Sequence, residues 1–148
     1  MRIFDEPIII EQTFNCSTET VWRSITEIDQ MRQWYFEEIS SFKPKVGFET
    51  QFNTSGPSRN FLHMWKVTEV VPQKKISYDW KYEGIPGDSR VEFELFDQNN
   101  QTMLRVTHYS KEDFPDDIPE FSRESGVEGW KYFIRKSLKE YLEGTDND

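Results

Sequence analysis

The sequence predicts a single α+β domain in which a six-stranded antiparallel sheet packs against a long C-terminal helix. Two observations lead to this prediction. Five strand-like runs follow one another between residues 47 and 110, and each is bounded by Gly, Pro, Asn or Asp. An amphipathic stretch from about Pro119 to about Leu142 follows them. Successive short connections favour hairpins, and therefore an antiparallel meander.

The N-terminal part supplies the sixth strand and two short helices. Residues 8–14 alternate as a first strand, and Ser17 or Thr18 can cap a helix whose apolar side carries Val21, Trp22 and Ile25. A second short helix is predicted at residues 28–36. The later strands are predicted at residues 47–53, 60–71, 74–83, 88–97 and 101–110.

Alternation along the strands assigns one apolar and one charged face to the sheet. The charged face includes Lys75, Asp79, Arg90, Glu92 and Arg105, which is typical of an antiparallel sheet with one side in water. The C-terminal helix must cover the other face. Its predicted apolar stripe consists of Val127, Trp130, Phe133 or Ile134, Leu138 and Tyr141.

Composition excludes several classes of protein. The 27 Asp and Glu residues outnumber the 18 Lys and Arg residues, which gives a net charge of −9 and disfavours binding to nucleic acid or an anionic membrane. The one cysteine, Cys16, cannot form an intrachain disulfide. With neither a signal-like segment nor a run long enough to span a bilayer, the chain is expected in the cytoplasm, as a monomer or homodimer.

No motif in the sequence indicates a cofactor or a metal. His, Cys and carboxylate residues do not occur at ligand spacing, and no phosphate-binding loop or nucleophile elbow is found. We therefore predict no cofactor, no metal and no assigned catalytic residue. Residues 1–148 are expected to form one domain, with an acidic flexible tail at 143–148.

Several short segments, in order, resemble a known family. They are Val21-Trp22, Gln33-Trp34-Tyr35, Lys43-Pro44-Lys45-Val46-Gly47, Ile76-Ser77-Tyr78-Asp79-Trp80, Thr102-Met103-Leu104-Arg105-Val106-Thr107-His108 and Gly129-Trp130. The chain resembles the bacterial branch of the family named for homology to the activator of Hsp90 ATPase. Its order of elements is that of the helix-grip fold, also called START-like, SRPBCC or Bet v 1-like.

The resemblance implies a hydrophobic cavity between a curved sheet and the long helix, and a small hydrophobic or aromatic ligand. It also brings an Hsp90-type chaperone into consideration as a partner. The eukaryotic co-chaperone engages its chaperone with a separate N-terminal domain, and this chain has no residues left over to build one. A chaperone role is therefore not the expected one.

The candidate cavity lining is taken from the inward sheet positions and from the helix stripe. It consists of Phe48, Phe52, His63, Trp65, Tyr78, Trp80, Phe93, His108, Trp130 and Ile134. These side chains either line a ligand cavity or simply fill the core. Aromatic faces suit the first role because they stack on ligand rings.

His63 and His108 are the only histidines, and the meander brings both to one end of the sheet on its inner face. Each either hydrogen-bonds a neighbour within the aromatic core or serves as an acid or base toward a bound ligand. The second role would make the protein a cyclase- or hydrolase-type enzyme. A third hypothesis is a protein-interaction module, which would require an exposed apolar patch.

Two further features leave alternatives open. Gly126 and Gly129 lie inside the predicted helix, where they leave room for a ligand, allow a bend, permit close packing on the first helix, or mark a break after a short leading helix. The loop from Glu112 to Glu120 carries five acidic residues. It is either a solvated loop or a lid that selects cationic ligands.

Overall fold

A computed structural model, which describes residues 1–144, has the predicted helix-grip architecture. Six antiparallel strands form one sheet in the order β1-β6-β5-β4-β3-β2. The strands are β1 (Ile8–Phe14), β2 (Glu49–Ser55), β3 (Asn60–Val71), β4 (Lys75–Tyr82), β5 (Asp88–Asp97) and β6 (Thr102–Glu112). The strand order confirms the meander, and β1 has the predicted bounds. Strand β2 begins two residues late because Gly47 has φ +90°, outside the extended region.

Two short helices follow β1, namely α1 (Thr18–Thr26) and α2 (Ile28–Trp34). Ser17 caps α1, because its hydroxyl accepts a hydrogen bond from the backbone N–H of Thr20 over 3.2 Å. Helix α2 ends at Trp34 rather than at the predicted residue 36. Tyr35 leaves the helical region with φ −104° and ψ −108°, and this turn directs its ring into the core.

The C-terminal helix begins later than predicted. Pro119–Phe121 form a separate 3₁₀ turn, and the helix begins at Arg123 because the Ser122 hydroxyl accepts from the Ser125 N–H over 3.1 Å. The helix continues through α3 (Arg123–Lys131), a π-helical segment (Tyr132–Leu138) and α4 (Lys139–Glu143).

The π-helical segment changes which side chains reach the sheet. Trp130, Ile134 and Leu138 are buried as the stripe predicted, whereas Tyr141 is 39% exposed. Placing Tyr141 on the buried stripe was therefore wrong. The wider i→i+5 turns rotate the residues that follow away from the spacing of an α-helix.

Pairing between strands brings His63 of β3, Trp80 of β4 and His108 of β6 near one another. His63 pairs with Tyr82, and Val91 pairs with His108. Trp80 lies between them in β4 and pairs with Ser89 of β5. On the outer face, Asp79 accepts from Arg90 over 2.9 Å and pairs with Lys111 over 3.0 Å, so this face is charged as predicted.

Within residues 1–144, no helix combines the length and the apolar character needed to cross a membrane. Of the acidic tail predicted at 143–148, only Glu143 and Gly144 are among the described residues.

Candidate functional site

A cavity of about 230 Å³ lies between one end of the sheet and the C-terminal helix. Strands β3 to β6 form its floor, and α3 with the start of the π-helical segment forms its roof. Most of the lining side chains are aromatic, and the exposed Ser122 lies at the rim. The lining residues are Met1, Ile8, Phe36, His63, Trp80, Tyr82, Ser89, His108, Phe114, Glu120, Phe121, Ser122, Gly126, Gly129, Trp130 and Phe133.

Four of the ten residues named from the sequence lie at this cavity, namely His63, Trp80, His108 and Trp130. The other six do not. Phe52, Trp65, Tyr78, Phe93 and Ile134 are buried in the packed core. Phe48 is half-buried beside a separate surface groove next to α2.

Tyr35 is the physical reason that Trp65 and Tyr78 lie in the core. Its ring stacks on Trp65 with a centroid distance of 5.4 Å, and the hydroxyl groups of Tyr35 and Tyr78 hydrogen-bond over 2.8 Å. Burial raises the pKa of both phenols, so they stay neutral. This pair fills the volume beneath the helix that a larger cavity would need.

Sequence reasoning missed five aromatic residues of the lining. They are Phe36, Tyr82, Phe114, Phe121 and Phe133. Continuing the alternation of β4 by two positions would have found Tyr82, and Phe133 was the unused alternative to Ile134. The other three lie outside regular strands and helices, where periodicity carries no information.

His108 is held by two hydrogen bonds whose directions can be assigned. The Ser89 hydroxyl donates its proton to the Trp80 carbonyl oxygen over 2.7 Å. Because the Ser89 hydroxyl proton is already used, His108 Nε2 must be the donor in its hydrogen bond of 2.9 Å with Ser89 Oγ. On the other side of the ring, Trp130 Nε1 donates to His108 Nδ1 over 3.0 Å.

This arrangement fixes His108 as a neutral imidazole with its proton on Nε2. Protonation at Nδ1 would turn the Trp130 contact into one between two donors. Burial also lowers the pKa of His108 to about 3. With both nitrogens occupied, His108 has no free lone pair with which to take a proton from a ligand, so its role is to join the sheet to the helix.

His63 is more deeply buried, at 4% exposure, and is held differently. Its ring stacks on Phe52 with a centroid distance of 4.8 Å, and its Nδ1 lies 3.3 Å from the Phe61 carbonyl oxygen. Burial lowers the pKa of His63 to about 4. The two imidazoles lie on either side of Trp80, at centroid distances of 5.5 Å for His63 and 5.4 Å for His108.

The two glycines of the helix differ. A Cβ added at Gly126 would lie 2.8 Å from Ile8 Cδ1, so this glycine allows close packing on β1 rather than on the first helix. A Cβ added at Gly129 would meet nothing within 4 Å. Gly129 therefore borders open space and contributes directly to the cavity volume.

The loop from Glu112 to Glu120 is partly buried. Phe114 and Ile118 pack with Phe61 and Phe121 in a second hydrophobic cluster, so the loop closes one end of the cavity. At the rim, the Glu120 carboxylate accepts hydrogen bonds from the Ser58 hydroxyl over 2.9 Å and the Ser58 N–H over 3.1 Å. This contact joins the β2–β3 turn to the 3₁₀ turn.

Within residues 1–144, no group of three His, Cys, Asp or Glu side chains is arranged to hold a metal ion.

Comparison with protein families identifies the chain. The family model described as Activator of Hsp90 ATPase homolog 1-like protein matches residues 15–143. The chain belongs to this family. The match to the Activator of Hsp90 ATPase homolog 1-like family begins one residue after β1 and ends at the last residue of α4, so it includes most of the elements that enclose the cavity.

Solved structures with the same fold include three informative neighbours. Protein MLL2253 from Mesorhizobium loti is 26% identical with a TM-score of 0.74, over 95% of this chain and 99% of that chain. The Aha1 dimer from Colwellia psychrerythraea is 25% identical with a TM-score of 0.72, also over 95% and 99%. DynU16, a protein in the dynemicin biosynthetic locus, is 20% identical with a TM-score of 0.75, over 94% of this chain and 48% of that chain. A search of curated proteins found no match.

Proposed function

We propose that this family member binds a small aromatic molecule in the cavity between the sheet and the C-terminal helix. The observation that carries the proposal is the lining itself. Seven Phe, Tyr and Trp side chains surround the space, and Gly129 keeps the helix from filling it. Aromatic walls favour flat ligands because stacked and edge-to-face contacts add to the gain from burying apolar surface.

The size of the cavity limits the ligand. A volume of about 230 Å³ lies below the roughly 300 to 1,000 Å³ of pockets that take drug-sized molecules. The proposed ligand is therefore compact, with one or two fused rings.

The comparisons support a small-molecule role. The resemblance to the helix-grip superfamily implies a small-molecule role, and the similar DynU16 protein, 20% identical, belongs to the dynemicin biosynthetic locus. Among the described lining residues, Glu120 carries a carboxylate and Met1 carries the N-terminal ammonium group, which donates to the Phe121 carbonyl oxygen. With one negative and one positive group in an otherwise uncharged aromatic lining, the cavity favours a neutral ligand over an ion.

The test uses naphthalene as a compact apolar probe and amide chemical shifts as the readout. We expect saturable shifts of residues around the cavity, including the Trp130 indole N–H. Replacing Gly129 with leucine should weaken binding at least about tenfold, because the new side chain occupies open space.

The matched control is Glu128→Leu, which adds the same side chain to the exposed side of the same helix one residue earlier. It should bind naphthalene as the parent protein does. Naphthalene shifts that are absent, or that Gly129→Leu leaves unchanged, would contradict the proposed function.

A further inference from the structure

His63 has a ring nitrogen that no group of the described residues satisfies, although the residue itself is only 4% exposed. Its Nδ1 faces the Phe61 carbonyl oxygen at 3.3 Å, and a carbonyl oxygen only accepts, so Nδ1 carries the proton. The lone pair is therefore on Nε2. Among residues 1–144, no donor is found within hydrogen-bond distance of that atom, in contrast to His108, where both nitrogens are paired.

The position of His63 directs this lone pair toward the cavity. Nδ1 is bonded to the ring carbon that carries the side chain and stays beside the strand backbone, whereas Nε2 lies at the far end of the ring. The ring is confined by stacking on Phe52 at 4.8 Å and by the edge contact with Tyr82 at 4.8 Å. His63 lines the cavity, and its Nε2 is not among the fully buried side-chain atoms that lack a partner. This atom is therefore accessible, and the cavity is the space beside it.

We infer that the cavity binds a neutral aromatic molecule carrying a hydroxyl or N–H group, which donates a hydrogen bond to Nε2 of His63. This inference rests on the proposed function and specifies its ligand. A ligand that fills the cavity would bury Nε2, and a donor on that ligand would supply the hydrogen bond that the described residues do not. A ligand lacking the donor would leave Nε2 unsatisfied, so the site would discriminate against it.

The state of His63 suits this role. Burial lowers its pKa to about 4, so the lone pair is free at neutral pH rather than occupied by a proton. At neutral pH, Nε2 of His63 therefore accepts a hydrogen bond, whereas in the imidazolium form it would be a donor. The one competing acceptor with a charge is the Glu120 carboxylate at the rim, which already accepts hydrogen bonds from Ser58.

The experiment compares 2-naphthol with naphthalene and 2-methoxynaphthalene at pH 7. The three share one ring system, but only 2-naphthol carries a donor. We expect 2-naphthol to bind about tenfold more tightly than naphthalene, in line with one buried hydrogen bond, and 2-methoxynaphthalene to show no such gain. The ¹⁵N resonance of His63 Nε2 should move with 2-naphthol only.

Two variants locate the hydrogen bond. His63→Phe keeps a flat ring beside Phe52 but has no acceptor, so the ratio of 2-naphthol to naphthalene affinity should fall to about one. His63→Gln places an amide oxygen near the same point and should retain part of the preference. Circular dichroism establishes that each variant is folded before its affinities are compared.

The outcomes separate this inference from the proposed function. If naphthalene does not bind, both fail. If naphthalene binds and 2-naphthol gains nothing, or if His63→Phe keeps the full preference, the proposed function stands and the inference is overturned. Loss of the preference in Glu120→Gln, together with its retention in His63→Phe, would assign the donor contact to the carboxylate instead.

Discussion

The indole N–H of Trp130 donates a hydrogen bond of 3.0 Å to Nδ1 of His108, which links the C-terminal helix directly to strand β6. The same indole packs edge-on against Trp80 and Phe93, each with a centroid distance of 5.8 Å. Trp130 therefore contributes both apolar burial and a specific polar contact to the attachment of the helix.

Replacing Trp130 with alanine should lower the free energy of unfolding by about 3 to 5 kcal/mol, the range for removing a large buried aromatic side chain. Trp130→Phe separates the two contributions. It keeps most of the apolar contact but leaves His108 Nδ1 without a donor, at a cost of about 1 to 3 kcal/mol. Urea denaturation measures both values, and a loss below about 1 kcal/mol for Trp130→Ala would contradict the assigned role.

The buried histidines should make the protein less stable in mild acid. The pKa values of His63 and His108 are lowered to about 4 and about 3 in the folded chain, against about 6.5 when unfolded. Between pH 7 and pH 5 the unfolded chain takes up protons that the folded chain does not. Stability is therefore complete above about pH 6.5 and should fall by about 2 kcal/mol for each histidine by pH 5.

Urea denaturation at pH 7, 6 and 5 checks this dependence. The His63→Phe variant removes one of the two titrating groups, so its loss of stability between pH 7 and pH 5 should be about half that of the parent protein. A stability that stays level over this interval would show that the imidazoles are protonated in the folded state.

The two helix glycines should respond differently to alanine. Gly129→Ala adds a methyl group where nothing lies within 4 Å, so the higher helix propensity of alanine should stabilise the protein by up to about 1 kcal/mol. Gly126→Ala places its Cβ 2.8 Å from Ile8 Cδ1, and the resulting strain should cancel or reverse that gain. Thermal unfolding of the two variants, side by side, measures the difference, and equal shifts would contradict this packing.

The contact between Glu120 and Ser58 should protect the β2–β3 turn. The carboxylate accepts from the Ser58 backbone N–H over 3.1 Å, so Glu120→Ala should speed hydrogen exchange at that amide. Exchange at the buried strand pairs of β5 and β6 serves as the internal control and should be unchanged. An unaltered rate at Ser58 would show that the rim contact does not form in solution.

Most features of the fold that could be predicted from the sequence were predicted from the alternation of apolar and polar residues along the strands. The alternation of β3 and β4 predicted that His63 and Trp80 share an inner face, and both line the cavity. Alternation reports which face a side chain lies on, but not whether another residue covers it. Trp65 is covered by Tyr35, whose direction depends on a non-helical turn after α2 that no sequence pattern announced.

The helix side of the site was harder to predict for a different reason. The choice between Phe133 and Ile134 depends on the local helical period, and the π-helical segment at Tyr132–Leu138 changes that period. Ile134 lies in the core, whereas Phe133 borders the cavity. Phe114 and Phe121 reach the cavity from irregular segments, where tertiary packing alone determines their placement.

The open space beside Gly129 has a consequence for laboratory evolution. Random variants selected only for survival at high temperature should accumulate larger residues at position 129, since the glycine weakens the helix and the neighbouring volume is free. Selection that also requires binding of an aromatic probe such as naphthalene, as proposed above, should preserve the glycine. The residue recovered at position 129 would then show whether the open volume or a more stable helix contributes more to survival under selection.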